Sequence, residues 1–118
     1  MKIRNGFVSN SSSSSFIIHR KHLTEDILDY LDICINNIDV DIRVGIDHLR
    51  FSKWISSLEP FRKYFPSEFE GQYSYLFVQE SHYRRARFGP EVWVDREGSS
   101  IREIIERGDK KLKERYEN

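Results

Sequence analysis

The sequence predicts a single α/β domain, with α+β as the alternative, in which helices cover a mixed β-sheet. Three observations lead to this prediction. Residues 38–46 alternate apolar and polar side chains, as a half-buried strand does. Residues 25–35 carry apolar side chains at helical spacing. A chain of 118 residues is long enough to bury one core but too short for two.

The first half of the chain predicts two strands and two helices. Residues 16–18 are typical of a short buried strand, and Thr24 is typical of the cap of a helix over 25–35. A second strand follows at 38–46. Asp47 then caps a second predicted helix. The apolar stripe of that helix is Phe51, Trp54, Ile55 and Leu58, followed by Pro60.

The second half predicts a hairpin and a closing helix. Residues 73–80 alternate aromatic and aliphatic side chains, which favours a strand at the centre of the sheet. Residues 91–95 form another predicted strand, and the short connection predicts antiparallel pairing between the two. Ser100 and Glu103 fit a capping box that begins the last helix. The predicted order is β-α-β-α-β-β-α, with a C-terminal helix.

The composition limits the class of protein. Its 38% apolar and 14% aromatic content suits a folded domain. The nineteen basic and nineteen acidic residues cancel, which counts against nonspecific binding to phosphate backbones. No apolar run approaches the length of a membrane span, and serines stand where a signal peptide needs its apolar region. We therefore expect a cytoplasmic protein without a membrane partner.

Cys34 is the only cysteine, which excludes an intramolecular disulfide and a thiolate metal cluster. Its apolar neighbours, among them Leu31 and Ile35, indicate a small buried hydrophobic residue rather than a reactive thiol.

The opening arm, residues 1–15, precedes the predicted domain at 16–118. It contains a polar serine tract between apolar anchors at Phe7 and Phe16. The tract offers hydroxyls and amides for binding an anion or for modification, and a flexible serine-rich arm is the alternative. The residues proposed for this role are Ser11, Ser12, Ser13, Ser14 and Ser15.

The stretch from Arg4 to Phe16, Arg-Asn-Gly-Phe-Val-Ser-Asn-Ser-Ser-Ser-Ser-Ser-Phe, resembles an N-terminal stretch of small uncharacterised proteins of tailed phages and some bacteria. The resemblance covers about the first 18 residues. It implies a phage or mobile-element origin. The expected cytoplasm is then that of the host cell, with association with a virion as the alternative. The resemblance also implies a shared use of the arm for targeting, processing or capture by a partner. It carries no catalytic residue.

Residues 82–88 combine arginines with aromatic side chains between two predicted strands. Such a loop suits an acidic surface on another protein, where arginine and tyrosine are frequent anchors. It also suits a nucleic acid, with a ring stacked on a base, or it is a solvated hairpin tip. The proposed binding residues are Tyr83, Arg84, Arg85, Arg87 and Phe88.

Asp39, Asp41 and Asp47, with His48 beside them, are a third candidate site, because carboxylates and histidine hold divalent cations in nucleases. No metal motif completes the set, and no nucleophile elbow is present.

The sequence therefore predicts a non-enzymatic accessory protein that binds and regulates or inhibits another protein. A nucleic-acid-binding module is the first alternative and a metal-dependent nuclease the second. No cofactor, resident metal or catalytic residue is predicted.

Overall fold

A computed structural model describes residues 15–52, 57–79, 89–96 and 98–116. In these ranges five strands form one sheet, in the order β4-β1-β3-β2-β5. The strands are β1 (Phe16–His19), β2 (Asp41–Gly45), β3 (His48–Ser52), β4 (Val78–Gln79) and β5 (Glu91–Trp93). The α-helices are α1 (Glu25–Asn37), α2 (Glu59–Arg62), α3 (Tyr73–Leu76) and α4 (Ile101–Tyr116). Short 3-10 helices occupy Arg20–His22 and Ser67–Gln72.

The described strands pair only in antiparallel fashion, so the fold is α+β and the predicted mixed sheet is wrong. Strands β1 and β2 are both antiparallel to β3, which lies between them. They therefore run in the same direction, and α1 connects them in a split β-α-β crossover. The connection from β3 to β4 repeats this arrangement around β1. Each crossover leaves a gap that an antiparallel strand fills.

Local capping explains both long helices. The Thr24 hydroxyl accepts a hydrogen bond from the Ile27 amide at 3.3 Å, so α1 begins where the sequence predicts. At the start of α4 the Ser100 amide donates to the Glu103 carboxylate at 3.0 Å, and the Glu103 amide donates to the Ser100 hydroxyl at 3.2 Å. This reciprocal pair confirms the predicted capping box.

Helix α4 approaches the sheet closely at Gly108. A Cβ atom built there would lie 2.4 Å from Cβ of Val44, far inside van der Waals contact. The helix is nevertheless continuous through this point. Gly108 therefore allows the helix to lie close against β2, at the cost of some helix propensity.

The core contains an aromatic cluster beside α1. Ring centroids of Phe61 and Phe77 lie 4.7 Å apart, and those of Phe65 and Tyr73 lie 5.5 Å apart. The Tyr73 hydroxyl donates to the Leu58 carbonyl at 3.0 Å, which satisfies the polar atom of this buried ring. Cys34 is fully buried, as predicted, and burial raises the pKa of its thiol to about 12.

The predicted helix after Asp47 is wrong in its first part, because residues 48–52 form β3. This strand pairs with β2, with Val44 opposite Leu49, and residues 46–47 make the turn of the hairpin. Asp47 therefore lies in a turn, where its carbonyl accepts from the Arg20 amide at 3.0 Å. Ile46 is 49% exposed, so the buried apolar row of β2 ends at Val44. Trp54 and Ile55 of the predicted stripe lie outside the described residues.

The predicted strand at 73–80 is also largely wrong. Residues 73–76 form one turn of helix, and of the described residues in this range only 78–79 form a strand. That strand is at one edge of the sheet and β5 is at the other, so the predicted pairing between them does not occur. The aromatic cluster explains the helix, because one turn brings Tyr73 and Phe77 to the same side, with their ring centroids 5.3 Å apart. The observed order is β-α-β-β-α-α-β-β-α.

Candidate functional site

One face of the sheet packs against the helices, and the other carries charged and aromatic side chains. Strand alternation sends Val44 and Leu49 to the core and their neighbours to the opposite side. The register then sets Arg43 opposite Arg50 on one side and opposite Trp93 on the other. The residues that we call the charged face are Arg43, His48, Arg50, Glu91 and Trp93.

The Glu91 carboxylate is the centre of the charged face. Nε of Arg50 donates to both of its oxygens, at 3.0 and 3.1 Å. Nη1 of Arg43 donates to Oε1 at 3.3 Å. Nε2 of His48 lies 2.6 Å from Oε2 and donates to it, since an ionised carboxylate can only accept. One carboxylate on β5 thus binds side chains from both β2 and β3.

The electrostatics of this cluster keep Glu91 ionised. Burial by itself raises the pKa of a carboxyl group, but the hydrogen bond from His48 and the charge and hydrogen bond of Arg50 outweigh it. The pKa of Glu91 consequently falls to about 2. Gly45 makes room for the imidazole, because a Cβ atom built there would lie 2.3 Å from Cε1 of His48.

Trp93 is the exposed aromatic side chain of the charged face, with 49% of its surface accessible. The guanidinium carbon of Arg43 lies 4.2 Å from the centroid of its ring, a cation–π contact. Arg43 is held in turn by Glu91. The indole at the end of β5 therefore packs against a guanidinium group that Glu91 holds in place.

Helix α4 covers the carbonyls at the outer edge of β5. Nζ of Lys111 donates to the Trp93 carbonyl at 3.0 Å, and Nη2 of Arg107 donates to the Asp95 carbonyl. Among the described strands, only β2 pairs with β5. Cationic side chains on edge groups of this kind discourage the addition of another strand.

A groove of about 400 Å³ lies where β5 ends beside the start of β2. The side chains that matter for its chemistry are Asp39, Asp41, Trp93, Asp95, Arg96 and Lys111. Arg96 is engaged within the protein, since it donates to the Ile35 and Ile38 carbonyls, the latter at 3.0 Å. The Asp41 carboxylate has no hydrogen bond or ion pair to another described residue.

The structure brings together only some of the residues predicted from sequence. The proposed binding loop (Tyr83, Arg84, Arg85, Arg87 and Phe88) lies outside the described residues, as do Ser11, Ser12, Ser13 and Ser14. Ser15 is buried next to β1. Asp39 and Asp41 line the groove, whereas Asp47 lies in the β2–β3 turn and His48 binds Glu91. No group of three or more His, Cys, Asp or Glu side chains in the described ranges could hold a metal ion.

Sequence reasoning missed Glu91 and Trp93 as site residues. A signal was present, because Arg43 lies between Ile42 and Val44, and His48 and Arg50 alternate with Leu49 and Phe51. The apolar stripe that begins at Phe51 hides this signal, because it predicts a helix for His48 and Arg50 and so separates them from β2.

Fold and site together define a small α+β domain with a helix-covered face and a face that carries a carboxylate-centred ion network. Three comparisons, with protein-family models, with curated proteins and with solved structures, found no match to the chain. Within the described ranges, none of the helices has both the length and the apolar character needed to cross a membrane.

Proposed function

We propose that the protein is a small accessory protein, of phage origin, that binds another protein and regulates or inhibits it without performing chemistry. The observation that carries this proposal is that Trp93 is half exposed while its ring is held by a cation–π contact with Arg43. Tryptophan and arginine contribute disproportionately to binding energy in protein interfaces. A ring that is already held in position loses little conformational entropy when a partner covers it.

Two titratable groups of the described residues favour binding over catalysis. A carboxyl group with a pKa of about 2, as in Glu91, is a poor general acid or base near neutral pH. A thiol with a pKa of about 12 and no exposed surface, as in Cys34, is a poor nucleophile.

The charge balance favours a protein partner over a nucleic acid. The net charge is zero, and both Arg43 and Arg50 are already bound to Glu91. Phosphate binding would have to compete with that carboxylate. The nucleic-acid alternative keeps one observation in its favour, namely that an exposed indole on a sheet face can stack on a base.

The test of the proposal is photo-crosslinking in the native host. A benzoylphenylalanine would replace Trp93 in one variant and Tyr116 in another, because both side chains are about half exposed and Tyr116 lies at the far end of α4. We expect one discrete protein adduct from position 93 and none from position 116. With the partner purified, Trp93→Ala should weaken binding by about tenfold or more. Equal binding of Trp93→Ala and wild type would remove Trp93 as the contact.

Two further measurements separate the alternatives. Fluorescence anisotropy with labelled single-stranded DNA and RNA, from about 50 to about 200 mM salt, should show no binding, whereas phosphate contacts would give a steep loss of affinity with salt. Replacing Arg84, Arg85 and Arg87 together by alanine tests the loop. Loss of partner binding at unchanged thermal stability would make the loop part of the interface.

A further inference from the structure

We propose that the groove beside Trp93 binds a lysine or arginine side chain of the partner protein. This inference rests on the function proposed above and specifies the chemistry of the contact. The groove has a volume of about 400 Å³, which falls in the range of ligand-binding clefts. It is open to solvent on the side of Asp39, whose side chain is 79% exposed.

The charges that line the groove favour a cationic guest. Three carboxylates, of Asp39, Asp41 and Asp95, line it against the two cations Arg96 and Lys111, so its formal charge is negative. Both cations also donate to backbone carbonyls. The Asp39 carboxylate is 3.7 Å from Arg96, at the long limit of an ion pair. Asp41 makes no hydrogen bond or ion pair with another described residue, so its carboxylate is available to pair with a guest in the groove.

Trp93 supplies the apolar wall that a long cationic side chain needs. Lysine and arginine place their methylene stems along apolar surface while the charged head stays polar. Trp93 lines the groove and remains half exposed although Arg43 stacks on its ring. A guest cation near the ring gains a cation–π contact as well as attraction to Asp41.

Two other occupants fit the groove less well. An anionic side chain would be repelled by the three carboxylates of Asp39, Asp41 and Asp95, which outnumber the two cations. An extended segment that adds to β5 as a strand would need the edge carbonyls of Trp93 and Asp95, and both already accept hydrogen bonds from α4.

The experiment is a two-dimensional ¹H–¹⁵N NMR titration of the full chain with a blocked Gly-Arg-Gly tripeptide. The matched control is the same tripeptide with citrulline, which keeps the shape and removes the charge. The indole N–H signal of Trp93 would be assigned with a Trp93→Phe variant. We expect a saturable shift of that signal with the arginine peptide, a dissociation constant on the order of millimolar, and little shift with citrulline.

Two variants connect the response to the groove. Asp41→Asn should weaken binding of the arginine peptide by about fivefold, as expected for one partly solvated ion pair. Glu106→Gln, at an exposed position on α4, should leave binding unchanged. Equal shifts with both peptides, no shift at all, or an unaltered affinity in Asp41→Asn would each overturn the inference. A partner that still crosslinks at position 93 in that case would leave the proposed function standing and exclude only the cationic contact.

Discussion

Nε2 of His48 lies 2.6 Å from Oε2 of Glu91, so a fully buried ring on β3 reaches over β2 to the edge strand β5. Gly45 of β2 makes this possible, since any side chain there would occupy the space of the imidazole. Arg50 of β3 binds the same carboxylate. Strand β5 spans only three residues, and these contacts hold it to the sheet in addition to its backbone pairing with β2.

Glu91→Gln should reduce the stability of the fold and change its pH dependence. The pKa of Glu91 is lowered from 4.5 to about 2, so the ionised carboxylate stabilises the folded state fully above pH 4.5. That contribution is lost as the pH falls from 4.5 towards 2. We expect Glu91→Gln to lower the free energy of unfolding at pH 7 by about 2 to 3 kcal/mol. This value allows for the fifth of the Glu91 side chain that is solvent-exposed. Urea unfolding at several pH values would measure it.

The control for this experiment is Glu106→Gln, which also removes one carboxylate but from an exposed site. The free energy of unfolding of Glu91→Gln should differ from that of wild type at pH 7 and converge with it near pH 2. Parallel curves for wild type and Glu91→Gln over this interval would contradict the assignment of the lowered pKa.

Gly108→Ala should destabilise the protein although alanine favours helices by about 1 kcal/mol over glycine. The added methyl group would lie 2.4 Å from Cβ of Val44, so the helix has to move away from the sheet. We expect a loss of about 1 to 3 kcal/mol in the free energy of unfolding. Gly71→Ala is the matched control, because a Cβ atom there meets nothing within 4 Å.

A double variant checks the cause of that loss. Gly108→Ala should cost less in a Val44→Gly background, where Cβ and both Cγ atoms of Val44 have been removed, than in wild type. An additive double variant would show that the two residues do not interact and that the close approach of α4 to β2 is unimportant.

Cys34 should resist thiol reagents in the native state. Its pKa is raised to about 12 by burial, so the thiolate is scarce at pH 8, and the sulfur has no exposed surface. We expect labelling by Ellman's reagent to be at least about a hundredfold slower than in guanidinium chloride. Rapid stoichiometric labelling without denaturant would contradict the buried position.

Ser100→Ala should remove the hydroxyl that accepts from the Glu103 amide and cost about 1 kcal/mol of stability. Glu103→Ala removes the reciprocal bond to the Ser100 amide. Because the two bonds form one motif, the double variant should lose less than the sum of the single losses. Denaturant unfolding of the four proteins measures this coupling, and strict additivity would argue against a capping box.

Most correct predictions from sequence rest on short-range signals. Thr24 and Ser100 mark helix starts through bonds that span three residues, and the alternation from Val40 to Val44 marks one buried strand. The errors arose where a short apolar pattern fits both the helical spacing of about 3.6 residues and the two-residue alternation of a strand. Phe51 suits the stripe of a helix, but it belongs to a strand because β2 and β1 pair with its backbone on either side.

The sequence by itself therefore determined the two long helices, the burial of Cys34 and the strand that contains Ile42 and Val44. Only the tertiary structure decided that residues 48–52 are a strand, that β4 and β5 lie at opposite edges, and that Glu91 meets His48 across 43 residues of chain. The physical reason is the range of the forces that decide each feature. Capping and periodicity act within a few residues, whereas strand pairing and the ion network depend on segments that only the folded chain brings together.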